Sequence, residues 1–341
     1  MTLTVDFGPN DIVKQIEKTG IKGQHLIFID DYSSTELENI FKTAEMLEPF
    51  WRNRIPLLEG KILCTQFFQP STRTRFSHET AMFRLGGNVI TESNPLVSSA
   101  AAKGESLYDS LRVTSQYADV IVLRHPDEGV IDTIEQLGSD ASPIISGGYG
   151  NVTHPTQGLL DMYTAYRALG ADFKEMTVMI ATPDLSRARS GQSFGLGLAR
   201  MGSKLIYSGT TGLGVPPLIR AKLKAMNANF TEVNDLTIGQ HEEMLADEGV
   251  DLLYLPGCSV KKGDPGRDDF LKKMAEFYFT LEGLQKIKQK SGKTVGLMHS
   301  LPRNEGEFDF AIDASEHELY FKQIGFSVPL RMSLLANICG V

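Results

Sequence analysis

Short apolar segments alternate along the chain with segments that repeat apolar residues at helical spacing. The first helical pattern begins at a capping box, Ser33 to Glu36, and repeats Leu37, Ile40 and Phe41 on one face. Strands that alternate with such helices predict an α/β protein with parallel sheets covered on both sides, and 341 residues accommodate two sheets. The apolar segments that predict buried strands are residues 25–29, 62–68, 120–123, 143–145, 178–181, 204–207, 252–255 and 295–298.

Composition narrows the class of protein. The hydrophobic fraction of 41% and the charged fraction of 22% are typical of a globular protein. No uninterrupted apolar run is long enough to predict a membrane helix, and the first residues, MTLTVDFGPNDIVKQ, do not form a secretory signal, so we expect a cytoplasmic protein without membrane contact. A net charge of −8 disfavours binding to nucleic acid.

Cysteine and histidine spacing predicts no structural or catalytic metal. The three cysteines, Cys64, Cys258 and Cys339, are widely spaced, and none of the seven histidines forms a pair with ligand spacing. Cys64 lies in an apolar strand, so we expect a core thiol.

The segment at residues 67–75, Phe-Phe-Gln-Pro-Ser-Thr-Arg-Thr-Arg, predicts an anion site at the entrance of a helix. Pro70 separates a buried strand from a helix predicted over residues 73–85. The helix dipole disfavours cations in the first turn, so an anion is expected to offset Arg73 and Arg75. The alternative is a plain helix cap beside surface arginines. The hydroxyl donors at this entrance belong to Ser71, Thr72 and Thr74.

Four further stretches place polar residues at strand ends or helix starts, where open α/β sheets bind their ligands. Taken singly, each has a structural alternative as a surface loop or a helix cap. The glycine-rich turn at residues 147–155 predicts a hinge between two domains, and ligand sites favour such junctions. The four stretches are residues 99–105 with Lys103, 124–126 with Arg124, 154–157 with His154 and Gln157, and 184–190 with Arg189.

The order, spacing and residue types of these stretches together resemble the aspartate/ornithine carbamoyltransferase family. P-S-T-R-T-R at residues 70–75 is followed by F-x-x-E-T-A-M-x-R-L-G-G, a serine-to-lysine loop, R-H-P, and H-P-T-Q-x-L-L-D at residues 154–161. H-S-L-P-R at residues 299–303 and the segment at residues 325–335 extend the resemblance to nearly the whole chain. R-H-P and H-x-L-P-R resemble the aspartate branch more than the ornithine branch.

The resemblance implies an enzyme that transfers the carbamoyl group of carbamoyl phosphate to the amine of an amino acid, with no cofactor. It implies two doubly wound parallel-sheet domains joined at a hinge, with active sites in the cleft and shared between the subunits of a homotrimer, which can join a higher assembly. The implied domains are a carbamoyl-phosphate-binding domain, residues 1–153 with the C-terminal helix 324–341, and an amino-acceptor domain, residues 154–323. The residues before 25 predict either a partner-binding strand or a cap on the first domain.

The resemblance also implies individual roles, in which fixed donors stabilise the negative charge that grows on the carbamoyl oxygen as the amine attacks. The implied catalytic residues are Arg73, Thr74, Lys103, Arg124 and His154. The implied phosphate ligands are Ser71, Thr72, Arg73 and Thr74, with Ser99 and Lys103 from the neighbouring subunit. The carbamoyl NH₂ is assigned to Gln157 and to the carbonyl at Leu301. The implied acceptor-binding residues are Lys103, Arg189, Ser259 and Pro302.

The acceptor side departs from the aspartate pattern. Aspartate enzymes typically carry T-R-V-Q where this chain has Pro256-Gly257-Cys258-Ser259, and Ser300 replaces the proline of H-P-L-P. The loop that follows is basic and favours an acidic acceptor, so L-aspartate, and with it pyrimidine biosynthesis, is the leading expectation. Another amine acceptor, or a carbamoyl-phosphate-binding homologue without turnover, is the alternative. The cations available to replace the missing arginine are Lys261, Lys262, Arg267 and Arg331.

Two glycine-rich runs, at residues 195–197 and 209–214, raise the alternative of a dinucleotide-dependent enzyme. Neither run has the strand, G-x-G-x-x-G and helix order that gives this motif its meaning. The first run predicts close helix packing and the second predicts a loop.

Overall fold

The chain divides into two compact units, each with its own parallel β-sheet. The computed structural model describes residues 8–98, 100–170, 172–257, 267–304 and 306–341. Unit 1 comprises Met1–Thr156 and Gly325–Val341, and unit 2 comprises Gln157–Ile324. A four-stranded and a five-stranded sheet, both wholly parallel, confirm the predicted α/β class.

The sheet of unit 1 has the strand order β2-β1-β3-β4. Its strands are β1 (Ile62–Phe67), β2 (Asn88–Glu92), β3 (Val120–His125) and β4 (Ile144–Tyr149). The helices of this part of the chain are α1 (Pro9–Thr19), α2 (Ser34–Leu47), α3 (Thr72–Arg84), α4 (Pro95–Ser98), α5 (Leu107–Thr114) and α6 (Val130–Leu137).

The sheet of unit 2 has the strand order β7-β6-β5-β8-β9. Its strands are β5 (Thr177–Ala181), β6 (Lys204–Gly209), β7 (Phe230–Asn234), β8 (Leu252–Leu255) and β9 (Gly296–His299). The remaining helices are α7 (Pro155–Leu169), α8 (Arg189–Met201), α9 (Pro217–Ala225), α10 (Ile238–Asp247), α11 (Arg267–Met274), α12 (Leu281–Ser291) and α13 (Tyr320–Cys339).

Both sheets reverse their winding direction at one point. In unit 1 the chain runs from β1 outward to β2 and then returns to the other side of β1 for β3. In unit 2 it runs from β5 through β6 to β7 and returns beside β5 for β8. Open α/β sheets bind ligands at the carboxyl ends of the strands that flank such a switch point. Ligand-binding residues are therefore expected in the segments that follow β1 and β3 in unit 1 and β5 and β8 in unit 2.

The predicted strands are confirmed with one exception, residues 25–29. That segment forms only an isolated bridge between Leu26 and Ile145, followed by a 3₁₀ turn at Ile29–Asp31. The Asp31 carboxylate accepts the backbone N–H of Phe28 at 2.9 Å, a local bond that favours a turn over strand pairing. The sequence prediction missed β2 and β7, which are edge strands with more exposed side chains than the central strands.

The N-terminal residues that the structure describes cap unit 1 as a helix. Helix α1 packs against α2, and its buried face carries Ile12 and Ile16. Gln15 Nε2 donates to Asn39 Oδ1 at 3.1 Å. Of the two predicted roles for the segment before residue 25, the cap agrees with these contacts.

The buried thiol of Cys64 and the buried helix α8 both confirm sequence predictions. Burial raises the pKa of Cys64 to about 12, as expected for a core thiol in β1. Gly195 and Gly197 lie inside α8 and are buried. A Cβ at Gly195 would overlap the Tyr207 hydroxyl on β6 and lie 3.2 Å from Ile180 Cδ1 on β5. Close helix packing therefore explains this glycine run.

His78 anchors the first turn of α3 from inside unit 1. Its side chain has no exposed surface, and its Nδ1 lies 2.7 Å from the carbonyl oxygen of Thr74, to which it donates. Burial, and secondly the positive charge of Arg331, lower the pKa of His78 to about 3. Arg331 is itself only 2% exposed within α13, which agrees with a structural role rather than with acceptor binding.

Replacing Gly195 with alanine should destabilise the protein because the added methyl group has no space between α8 and the sheet. We expect the free energy of unfolding in urea to fall by about 1–3 kcal/mol. The matched control is Gly239→Ala in α10, where nothing lies within 4 Å of the new Cβ; helix propensity there should stabilise by up to about 1 kcal/mol. Equal stability of the two variants would contradict this packing.

Replacing His78 with glutamine should make the protein less sensitive to acid. The imidazole titrates near 6.5 when unfolded and near 3 when folded, so between these values the unfolded state binds more protons and stability falls as pH falls. From pH 7 to pH 5 the wild type should lose about 2 kcal/mol more unfolding free energy than His78→Gln, measured by urea denaturation at each pH. Parallel pH profiles would rule out a buried neutral imidazole.

Candidate active site

In unit 1, the segment after β1 is held beside the end of β3. The backbone N–H of Phe68 donates to the carbonyl oxygen of Arg124 at 2.9 Å. Ser71 is the N-cap of α3, but its side chain makes no capping hydrogen bond, and the first turn contains no acidic residue. The helix begins at Thr72, one residue before the predicted start. Its first N–H groups and partial positive charge lie beside the N-cap Ser71 and the first-turn residue Arg73, an arrangement suited to an anion.

The first turn of α3 is fixed on its buried side and open on its other side. Thr74 is buried, and its carbonyl oxygen accepts hydrogen bonds from His78 Nδ1 at 2.7 Å and from Ser77 Oγ at 3.1 Å. Thr72 and Arg73 are exposed. The predicted phosphate loop is therefore a rigid turn that presents a hydroxyl and a guanidinium to solvent.

Arg124 and His154 approach the same piece of backbone at the end of β4. Arg124 is buried, and its Nη1 donates to the carbonyl oxygen of Gly147 at 2.8 Å. A Cβ at Gly148, which has a φ of 113°, would lie 3.1 Å from Arg124 Nη1 and 3.4 Å from His154 Cδ2. His154 is also buried, with its Nδ1 3.4 Å from Thr156 Oγ1. Glycine is required here so that both side chains can pack against the turn.

The predicted serine-to-lysine loop is described only in part. Ser99 lies outside the described residues. Lys103 ends the 3₁₀ helix Ala100–Lys103 and is exposed, and it forms no hydrogen bond or ion pair with any residue that the structure describes. Within this single chain, Lys103 is thus not joined to Arg73, Arg124 or His154.

In unit 2, the segment after β5 leads into a second helix entrance that carries an arginine. Asp184 accepts the backbone N–H of Ser186 at 3.0 Å, and Gln192 Nε2 donates to the carbonyl oxygen of Leu185 at 3.1 Å, so the turn is fixed at both ends. Arg189 is the first residue of α8. Burial lowers the pKa of its guanidinium. A partly buried cation at the positive end of a helix favours an anionic ligand.

The segment after β8 contacts both this entrance and the turn after β9. A Cβ at Gly191 would lie 2.9 Å from Pro256 Cγ, so the first turn of α8 packs against Pro256. The N–H of Gly257 donates to Ser300 Oγ at 3.0 Å, and a Cβ at Gly257 would lie 3.3 Å from that oxygen. Two of the positions that depart from the aspartate pattern, 257 and 300, therefore touch each other.

A buried histidine shapes the turn after β9. The N–H of Leu301, which has a φ of 51°, donates to His299 Nδ1 at 2.9 Å, and His299 Nε2 lies 3.3 Å from Glu307 Oε2. Burial alone would raise the pKa of Glu307, but hydrogen bonds from His299 and Asn304 outweigh it and lower that pKa. Pro302 follows in an exposed position. His299 and Glu307 also line a small cavity with Ala181, Thr182, Pro183, Leu255, Pro256, Met274 and Phe277.

A hydrogen-bonded cluster in unit 2 was not identified from the sequence. Gln157 Nε2 and the Tyr254 hydroxyl each donate to the Asp161 carboxylate at 2.8 Å. Gln323 Nε2 donates to the same carboxylate. The spacing of Gln157 and Asp161, four residues apart on α7, was the available signal, because such residues meet on one helix face. Tyr254 and Gln323 could not be found in this way.

Several residues that were predicted to lie near the acceptor cannot be placed. Cys258, Ser259, Lys261 and Lys262 lie outside the described residues. Arg267 begins α11.

Among the residues that the structure describes, no group of three or more His, Cys, Asp or Glu side chains is arranged to hold a metal ion. None of the described helices has both the length and the apolar character needed to cross a membrane.

Comparison with known proteins agrees with this geometry. A family model for the carbamoyl-P binding domain of aspartate/ornithine carbamoyltransferase matches residues 24–167. Ureidoglycine carbamoyltransferase of Rubrobacter xylanophilus is 44% identical over 95% of this chain and 94% of its own. The aspartate carbamoyltransferase catalytic subunit of Methanothrix thermoacetophila is 36% identical over 93% of this chain and 99% of its own.

A solved structure extends the likeness to the fold. The crystal structure of aspartate transcarbamoylase from Trypanosoma cruzi in complex with carbamoyl phosphate matches with a TM-score of 0.79 at 25% identity, covering 94% of this chain and 98% of that one. These matches include the residues of both units. The protein is an enzyme that binds carbamoyl phosphate and an amine acceptor, and the chain belongs to the aspartate/ornithine carbamoyltransferase family.

Proposed function

We propose that this carbamoyltransferase transfers its carbamoyl group to an amino acid with one carboxylate and an uncharged polar side group, and that ureidoglycine, rather than aspartate, is the acceptor. The observation that carries the proposal is the neutral contact between Gly257 and Ser300. The 44% identity to a ureidoglycine carbamoyltransferase supports it.

The carbamoyl-phosphate half of the proposed site lies in unit 1, which corresponds to the predicted domain of residues 1–153 and 324–341. Its turn at the start of α3 holds the phosphate through backbone N–H groups, hydroxyls and one guanidinium. Donors aimed at the carbamoyl oxygen stabilise the charge that develops there, each typically contributing about 2.7–4 kcal/mol. The phosphate ligands are Ser71, Thr72, Arg73 and Thr74, and the oxygen donors are Thr74, Arg124 and His154.

The reaction balances without a covalent enzyme intermediate. The neutral amine of the acceptor attacks the carbamoyl carbon, the bond between that carbon and the phosphate oxygen breaks, and phosphate leaves with the amine proton. Gln157 and the carbonyl of Leu301 hold the carbamoyl NH₂. With ureidoglycine the product carries two ureido groups on one carbon.

Among the described residues of unit 2, the acceptor half of the proposed site uses one cation where aspartate requires two. Arg189, at the start of α8, binds the carboxylate that every α-amino acid carries. The second carboxylate of aspartate would meet Gly257 and Ser300, which offer an N–H group and a hydroxyl but no charge. An unpaired carboxylate is costly to desolvate, whereas a ureido group is neutral and both donates and accepts hydrogen bonds. The basic loop residues Lys261 and Lys262, which favoured aspartate, lie outside the described residues.

Exposed apolar side chains and an exposed lysine support the proposed homotrimer. Unit 1 exposes Phe76 (51%) and Phe83 (56%) on α3 and Ile90 (41%) on β2. Clustered exposed apolar residues of this size are typical of interaction surfaces. Lys103 is exposed and has no partner among the described residues, as expected for a side chain that acts in the site of a neighbouring subunit together with Ser99.

The acceptor is tested by incubating the protein with carbamoyl phosphate and a panel of amines: ureidoglycine, aspartate, ornithine and other amino acids. Phosphate release and ureido product are measured for each, and the product with two ureido groups is also tested with phosphate in the reverse direction. We expect kcat/KM for ureidoglycine to exceed that for aspartate by roughly a hundredfold or more, because aspartate leaves a carboxylate unpaired.

Two arginines on one turn give this experiment a matched control. Arg189→Gln should raise the KM of the acceptor without changing the affinity for carbamoyl phosphate, whereas Arg187→Gln, on the exposed side of the same turn, should change neither. Faster turnover of aspartate than of ureidoglycine would refute the proposed acceptor. Binding of carbamoyl phosphate without turnover of any amine would instead support a homologue that only binds.

The shared site is tested by co-expressing Lys103→Ala chains with His154→Ala chains. If each site combines Lys103 of one subunit with His154 of another, mixed trimers contain some intact sites. Random assembly should restore up to about a quarter of the wild-type activity, while each variant alone stays inactive. Specific activity and the sedimentation mass of the mixture are the measurements. A trimer that shows no complementation would place Lys103 outside the neighbour's site.

A further inference from the structure

The carboxylate of Asp161 is completely buried on α7 and receives three donors from unit 2. Gln157 Nε2 donates to Oδ1 at 2.8 Å, the Tyr254 hydroxyl donates to Oδ2 at 2.8 Å, and Gln323 Nε2 donates to Oδ1. Burial, and then the charge of Asp161, raise the pKa of Tyr254, so the phenol keeps its proton and acts as a donor. The cluster has the donor set of an ionised carboxylate.

An ionised carboxylate accepts hydrogen bonds and cannot donate them, so it fixes the orientation of the Gln157 amide. The amide is planar and carries its donor and its acceptor on opposite sides. Because the NH₂ group points to Asp161, the carbonyl oxygen Oε1 must point away from it. Oε1 forms no hydrogen bond with the part of the chain that the structure describes. Gln157 thus presents its acceptor oxygen to a bound ligand.

We infer that Asp161 is a positioning residue: it turns the acceptor oxygen of Gln157 toward the NH₂ of carbamoyl phosphate and thereby selects this substrate over acyl phosphates that carry a methyl group in place of NH₂. The inference rests on the proposed function, because it takes Gln157 as the contact of that NH₂. A methyl group donates no hydrogen bond, so it gains nothing from the fixed oxygen.

The cluster also reaches the acceptor side through Tyr254. Ser190 in the first turn of α8 and Ser300 both act on its hydroxyl and oppose the rise of the Tyr254 pKa, and Ser300 accepts the N–H of Gly257. If Asp161 had a merely structural role, its replacement would therefore weaken the binding of both substrates and of any analogue alike. A positioning role acts on the NH₂ group alone, and this difference separates the two explanations.

The test compares carbamoyl phosphate with acetyl phosphate in the full-length enzyme. Asp161→Asn keeps the size of the side chain but offers an amide donor to Gln157, whose own amide can then turn round. We expect the KM of carbamoyl phosphate to rise about tenfold, while the inhibition constant of acetyl phosphate stays within about twofold, since only the first loses a hydrogen bond. In a Gln157→Ala background the same substitution should no longer change this ratio.

Gln323→Ala is the matched control because it removes another donor to the same carboxylate without touching the Gln157 contact. It should lower the Tm and leave unchanged the ratio of the KM of carbamoyl phosphate to the inhibition constant of acetyl phosphate. Asp161→Ser replaces the asparagine variant if that variant does not fold. The inference would be overturned if Asp161→Asn weakened the binding of carbamoyl phosphate and of acetyl phosphate equally. It would also be overturned if the substitutions at 157 and 161 changed the KM of carbamoyl phosphate independently, so that their effects multiplied. Failure of the proposed function is seen separately, as absence of carbamoyl-phosphate turnover in the wild type.

Discussion

Each unit places an arginine in the first turn of the helix that follows a central strand, where the backbone dipole already concentrates positive charge. Arg73 follows β1 on α3, and Arg189 follows β5 on α8. At each entrance the positive end of the helix dipole and the guanidinium repel each other, and a bound anion offsets this repulsion. Both entrances lie at the switch point of their sheet, where a ligand has access to the strand ends. The proposed function satisfies this repeated constraint with two anions, carbamoyl phosphate at Arg73 and the acceptor carboxylate at Arg189.

The choice of acceptor depends on what lies beside the second arginine. Gly257 contributes only its N–H group, and this group is already bonded to Ser300. A side chain at position 257 would press against His299 and Ser300 at 3.3 Å, so the turn is built without one. Among the described residues of the proposed acceptor side, Arg189 supplies the charge, and the contact between Gly257 and Ser300 is a neutral hydrogen bond. Neutral contacts discriminate well against a charged group, because the group would lose water without gaining a partner.

The sequence predicted the parts of the fold that follow from local patterns. Central strands such as β3 and β5 are continuous apolar runs, and the capping box at Ser33 marks the start of α2 with both of its hydrogen bonds. The edge strands β2 and β7 were not predicted because their side chains are partly exposed. Residues 25–29 were wrongly predicted as a strand because Asp31 accepts a backbone hydrogen bond that forms a turn there.

Candidate site residues could be predicted where several lie together in one motif, as at residues 70–75. The partners that orient them were not, because they come from distant segments. Tyr254 and Asp161 are 93 positions apart, and Gln323 and Asp161 are 162 apart. The motif indicates the residues that are proposed to touch a substrate, whereas only the folded chain brings their hydrogen-bond partners into contact with them.

One buried carboxylate lies, within unit 2, between the contacts that are proposed for the carbamoyl NH₂ and for the acceptor. Gln157 and the Tyr254 hydroxyl both donate to Asp161, Ser300 acts electrostatically on that hydroxyl, and the N–H of Gly257 donates to Ser300. Each intermediate group has its orientation set by its neighbour, because a carboxylate only accepts and an N–H group only donates. The contact proposed for the carbamoyl NH₂ and the neutral contact proposed for the acceptor are therefore not independent features. They are the two ends of a single network, and its stability in a buried position depends on every donor having a partner.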